Sequence, residues 1–142
     1  MAFNKARVYF GIYGYHFNPD EVTNAIGLEP TSVNAAGTSG TLDKPVISSW
    51  EFSTETITSE TQDLDIYKII DDDILKKIEP AKDKIIEICK GLNLSPRINV
   101  ELTLSIDKDE TVPDVGFGGR IVKFCAEIGA FINIDYKLSE RI

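Results

Sequence analysis

The first apolar pattern along the chain has a period of two. Between Lys5 and Tyr15, Val8, Phe10 and Ile12 alternate with Arg7, Tyr9 and Tyr13, the spacing of a strand with one face in a core. Asn18 then offers an N-cap, with Pro19 at the first helical position and Asp20 and Glu21 in the electropositive first turn. Val22, Ala25 and Ile26 form the inner side of this short helix, which Gly27 ends ahead of Pro30. Thr31 to Pro45 is small and polar and reads as a loop. Ser48 to Thr54 reads as a second strand, with Trp50 and Phe52 on one side and Glu51 on the other, and Glu55 to Gln62 as a linker with only Ile57 to bury. From Leu64 the spacing becomes helical through Tyr67, Ile70, Ile74 and Ile78, and Pro80 breaks it. Ala81, Ile85, Ile88, Cys89 and Leu92 stripe a further helix, and Ile98 to Ile106 is the cleanest alternating strand. In the last stretch, Val115 to Tyr136, Ile121, Phe124, Cys125 and Ile128 share one helical face, Gly129 stops that helix, and Ala130 to Tyr136 alternates again.

The resulting order, βαβ–αα–βαβ, predicts a two-layer ferredoxin-like α+β sandwich: a four-stranded, mainly antiparallel sheet with helices on one face. It is expected to form a single domain over residues 1–142, with a helical insertion at about residues 64–91 between the two halves. Both halves end their helix on Ile-Gly, Ile26-Gly27 and Ile128-Gly129. The first and third strands are expected at the centre. Tyr9, Tyr13, Glu51, Asn99, Glu101, Thr103, Asn133 and Asp135 are then expected to share the open face.

A length of 142 residues and a hydrophobic fraction of 42% suit a domain that needs neither disulfides nor a metal to hold it. The net charge of −8 argues against nucleic acid and anionic membrane, both of which reward Lys and Arg, and favours a basic protein partner. Cys89 and Cys125 fall on apolar helix faces and read as buried thiols. With no charged-then-apolar leader and no apolar run near 18 residues, the expected location is the cytoplasm.

Two surfaces compete as binding sites. Tyr9, Tyr13, Glu101 and Asp135 on the open sheet face combine aromatic area with polar tips, a usual makeup for a protein contact. The run Gly116-Phe117-Gly118-Gly119-Arg120 opens a helix, and Gly118, Gly119 and Arg120 there form the alternative, a small-anion site. No dinucleotide or Walker motif is completed by that run, so its plainer reading is a hinge. Asp71-Asp72-Asp73 cannot converge on one ion, because successive helical residues diverge by about 100°. Asp107, Asp109 and Glu110 are better spaced but too few for a calcium loop. The single histidine, His16, has Asp20 nearby but no nucleophile placed beside it. No metal, no cofactor and no catalytic residue is expected.

The segments Asn18-Pro19-Asp20-Glu21-Val22-Thr23, Ile26-Gly27-Leu28-Glu29-Pro30-Thr31, Trp50, the Leu/Ile region ending at Pro80, Ile128-Gly129-Ala130 and Ile134-Asp135-Tyr136 resemble a bacterial family known as domain of unknown function 4279 (DUF4279). The resemblance implies a single small cytoplasmic domain and attaches no activity. The expected function is therefore a non-catalytic protein-interaction module, immunity-protein-like in its acidic charge, with homodimerisation a further option. A metabolite sensor using Arg120 is the alternative. An enzyme needs Asp135, His16 or the Asp107–Glu110 loop to meet in one cleft.

Overall fold

The computed structural model describes residues 3–35, 47–61, 63–106 and 112–139. Strand β1 spans Lys5–Tyr15, and its Val8, Phe10 and Ile12 are wholly buried. It ends at His16, whose positive φ of 56° breaks the extended run. Helix α1, Pro19–Ile26, starts where the capping chemistry puts it: the Asn18 side chain accepts from the Asp20 N–H at 3.0 Å. Gly27, at φ 76°, closes it with its N–H on the Thr23 carbonyl.

The sheet continues with β2 (Ser32–Asn34), β3 (Ile47–Ser53), β4 (Ile57–Thr58), β5 (Ser95–Leu104) and β6 (Phe131–Leu138). Its order is β2-β3-β1-β5-β6, with β4 pairing to β1. The ferredoxin-like expectation is overturned: the sheet is mixed and six-stranded. In the predicted fold each half interleaves with the other. Here β3 lies directly beside β1 and antiparallel to it, with Tyr15 opposite Ile47. The reason lies in β2: the chain leaves α1 into β2, whose pairing with β3 makes it parallel to β1, and β3 fills the place between them, antiparallel to both. The second half is a true crossover unit: α5 (Gly119–Ile128) joins β5 to a parallel, adjacent β6, with Arg97 opposite Phe131. The Thr31 to Pro45 loop is also corrected, since it contains β2 on the outer side of β3; residues 36–46 lie outside the described residues. The Glu55 to Gln62 linker holds β4.

The region between the halves is one broken helical path. It runs through α2 (Ile66–Ile69), a π-helical segment (Ile70–Leu75), α3 (Lys76–Ile78), a 3-10 turn (Glu79–Ala81) and α4 (Lys82–Leu92). Ile66, Ile70, Ile74, Leu75 and Ile78 are all 0% exposed, while Tyr67, expected inward, is half exposed. In an uninterrupted α-helix Leu75 would lie about 180° from Ile66. The wider π turn brings both onto the sheet. Deleting Asp72, an exposed residue of that segment, should restore regular α spacing with the same face buried, changing stability by no more than about 1 kcal/mol. Deleting the exposed Lys84 from the regular α4 should rotate Ile85 and Cys89 by about 100° off the core, at about 3 kcal/mol. Equal losses in urea unfolding of the two deletions would contradict this role for the π segment.

The core is the space between the inner face of the sheet and these helices. Phe10 and Trp50 meet edge to face there at 6.2 Å, and Ile98, Val100, Ile121 and Phe124 close it from the β5–α5 side. The opposite face of the sheet is covered by none of the helices.

Candidate functional site

That uncovered face carries the odd-numbered side chains of β1, β3, β5 and β6, and hydrogen bonds tie them into a row across five strands. Ser32 on β2 donates to Glu51 Oε1 at 3.1 Å, and the Tyr13 hydroxyl donates to Glu51 Oε2 at 2.6 Å. Asn99 Nδ2 donates to the Tyr13 hydroxyl, and Asn133 Nδ2 to Asn99 Oδ1, each at 3.4 Å. Asn133 Nδ2 also reaches Asp135 Oδ2 at 3.2 Å. A second cluster lies beside this row. Arg7 grips Glu101 with two parallel bonds of 3.1 Å, its third nitrogen reaches Ser53, and the Tyr9 hydroxyl donates to Glu101 Oε1.

The electrostatics follow from these contacts. The bonded Arg7 guanidinium holds the Glu101 carboxyl below the ordinary carboxylate range, even though partial burial pulls the other way. Burial, then the charge of Glu101, pushes the Tyr9 phenol up to about 12. Burial and the bond to Glu51 likewise raise the Tyr13 phenol. Both rings are therefore neutral hydrogen donors at physiological pH and not acids or nucleophiles. The two thiols are buried, which raises each to about 11.

Of the predicted site residues, Tyr9, Tyr13, Glu101 and Asp135 do share this face. Glu101 and Asp135 are register partners on β5 and β6. Both line a depression of about 420 Å³ whose other walls include Lys5, Arg7, Thr103 and Lys137. The predicted anion site is arranged differently. Gly118 caps α5 without a side-chain partner, and Arg120 turns away to Glu79, 2.8 Å from its Oε1. Gly118 serves packing, because the Tyr67 ring occupies the space where a Cβ would stand. His16 is exposed at a turn, and Asp72 and Asp73 are exposed on the π segment. Among the described residues no three His, Cys, Asp or Glu side chains gather as metal ligands. Asp107, Asp109 and Glu110 lie outside the described residues.

The sequence reading missed two cations of this face, Arg97 and Lys137. Strand β5 begins at Ser95 and β6 runs to Leu138, so Arg97 and Lys137 join the odd-numbered row that a strand starting at Ile98 and ending at Tyr136 leaves out. The Arg97 guanidinium stacks 4.8 Å over the Tyr13 ring and 5.9 Å from that of Phe131, and Arg7 stacks 4.2 Å over Tyr9. With Lys5 they interleave with Glu51, Glu101 and Asp135, so the face is charge-balanced and not the acidic surface that the glutamates alone suggest. Gly11 was also passed over. It lets the Tyr13 ring lie flat across β1, where any side chain at that position would collide with it.

Fold and face define an α+β domain with a mixed sheet, helices on one side and a polar, pre-ordered surface on the other. The chain belongs to the family described as Domain of unknown function (DUF4279), whose model matches residues 4–139. No curated protein and no solved structure matches it. No helix among the described residues is long and apolar enough to cross a membrane.

Proposed function

We propose that this domain is a non-catalytic interaction module that docks a basic protein partner on its open sheet face. The observation that carries the reading is the pairing of Glu101 with Asp135 in the depression at the β1–β5–β6 end of the sheet. Glu101 is already clamped by Arg7. Asp135 is exposed and accepts only from Asn133 among the hydrogen bonds described, which leaves acceptor capacity for a lysine or arginine brought by the partner. The cross-strand row supports the same reading, since side chains held in place before binding lose little freedom on docking. The charge of −8 steers a cationic protein from a distance, whereas the local contact is polar and balanced.

The test is capture from the native cells with tagged wild-type protein, Glu101→Gln and Glu87→Gln, followed by association kinetics on the captured protein. Glu87 is exposed on α4, away from the sheet. The expected result is a stoichiometric basic protein bound equally by wild type and Glu87→Gln, bound about tenfold more weakly by Glu101→Gln, and associating more slowly as salt rises. A partner indifferent to Glu101→Gln, or one whose association rate ignores salt, would overturn the proposal.

A further inference from the structure

Strand β6 ends the sheet, and all eight of its residues are exposed. Ile134 is 41% exposed, Tyr136 73% and Leu138 65%. The Ser139 N–H bonds to the Leu104 carbonyl, and the register from Arg97 opposite Phe131 to Leu104 opposite Leu138 is unbroken. In a parallel ladder alternate residues point their backbone groups to the same neighbour. The odd-numbered residues of β6 therefore bond to β5, and Ile132, Ile134, Tyr136 and Leu138 turn their N–H and C=O groups to the free edge. Among the described residues no strand pairs with that edge. A long, apolar edge of this kind templates another strand unless something blocks it.

We infer that the edge of β6 pairs antiparallel with β6 of a second copy, about a two-fold axis at Tyr136. This goes beyond the docking face by using the strand's edge and its backbone, and shares with that face only Asp135 and Lys137. The sequence around Tyr136 is its own complement. A two-fold there sets Ile134 opposite Leu138 of the other copy, in hydrogen-bonded pairs formed by the outward backbone groups. It also sets Asp135 opposite Lys137 twice, in the closer, non-hydrogen-bonded pairs whose Cα atoms stand about 4.5 Å apart. Asp135 has a like charge, Glu101, on its inner side; an ammonium group on its outer side relieves that crowding. An axis one residue earlier would set Asp135 against Asp135 and is disfavoured. An axis at Ile134 would leave Asp135 opposite Asn133 and its charge unmatched. The repulsion between two chains of −8 is screened beyond about 8 Å at physiological salt. Five paired residues a side, Ile134 to Leu138, make a small interface of the weak, reversible class.

Sedimentation velocity of the whole chain, from roughly 5 to 200 μM to cover that class, tests the inference. Wild type is expected to shift from monomer to dimer across the range. Asp135→Lys should weaken the dimer about tenfold, by opposing lysines at both pairs, and Asp135→Lys combined with Lys137→Asp should restore it. Tyr136→Pro, which removes an N–H facing only the free edge and spares the β5 ladder, should abolish the dimer with the far-UV spectrum unchanged. A wild type that stays monomeric overturns the inference, as does a dimer indifferent to the charge exchange. Should Tyr136→Pro disturb the fold, the charge-exchange series still decides.

Discussion

Trp50→Ala is expected to cost about 3–5 kcal/mol, a third or more of the stability of an ordinary domain. Trp50 is 0% exposed, meets Phe10 edge to face, and is one of the largest side chains between the sheet and the helices. It also does something a phenylalanine cannot. Its indole N–H donates to Thr23 Oγ1 on α1 at 3.0 Å, tying β3 to the helix that separates β3 from β1 in sequence. Urea unfolding followed by circular dichroism should show the midpoint falling by roughly 1–3 M for Trp50→Ala. Thr23→Val should cost about 1–3 kcal/mol, because it strands a buried donor. In a Trp50→Phe background the same Thr23→Val change should be nearly neutral, since no N–H remains to strand. A Thr23→Val cost that is the same in both backgrounds would show that the threonine matters for packing alone, and the proposed tie would be lost.

That single hydrogen bond also shows why the topology was harder to read than the elements. The local signals were legible because each is chemistry acting over a few residues: Asn18 and Gly27 bracket α1 as capping requires, Gly129 closes α5 at φ 71°, and period-two runs mark β1 and β5. Strand order is decided by which edges meet, and nothing within the run Ser48 to Thr54 says whether it returns beside β1 or crosses over β5. The π segment was invisible for a related reason. Tyr67, Ile70, Ile74 and Ile78 fit an α-helical face, and only the demand that Ile66 and Leu75 both be buried reveals that the helix must be re-phased. Of the candidate site, the alternation of β1, β5 and β6 sufficed to group Tyr9, Tyr13, Glu101 and Asp135. Two of the cations that balance them, Arg97 and Lys137, were lost with two strand ends, Ser95 to Arg97 and Lys137 to Leu138. The partner of Arg120 could not be read at all, because Glu79 lies 41 positions away and comes near only once the helices pack.

Asn99 is where the face is most sensitive to charge. It is 4% exposed, it links Tyr13 on β1 to Asn133 on β6, and its register partner on β1 is Tyr9. Asn99→Asp keeps the shape and places a carboxyl among two tyrosines and an amide. The charged neighbours two positions along β5 on the same face oppose each other: Arg97 favours the anion and Glu101 disfavours it, while Glu51 behind Tyr13 adds to the repulsion. Burial therefore decides, and the folded-state pKa should lie above the unfolded value of about 3.9. A raised carboxyl pKa means that the folded protein holds its proton longer than the unfolded chain. The variant is thus expected to approach wild-type stability below about pH 4 and to lose stability as pH rises through the unfolded value to the folded one. At pH 7 the deficit should be about 2–4 kcal/mol. Asn99→Leu should show a smaller deficit with no such pH dependence, because it strands the Asn133 amide without burying a charge. Equilibrium unfolding of the three proteins at pH 4 and pH 7 separates the cases. A pH-independent Asn99→Asp deficit would mean that the site is wet enough to carry a charge. The row across the sheet would then be loosely held before any partner arrives, and the pre-ordering argument for the docking face would lose its support.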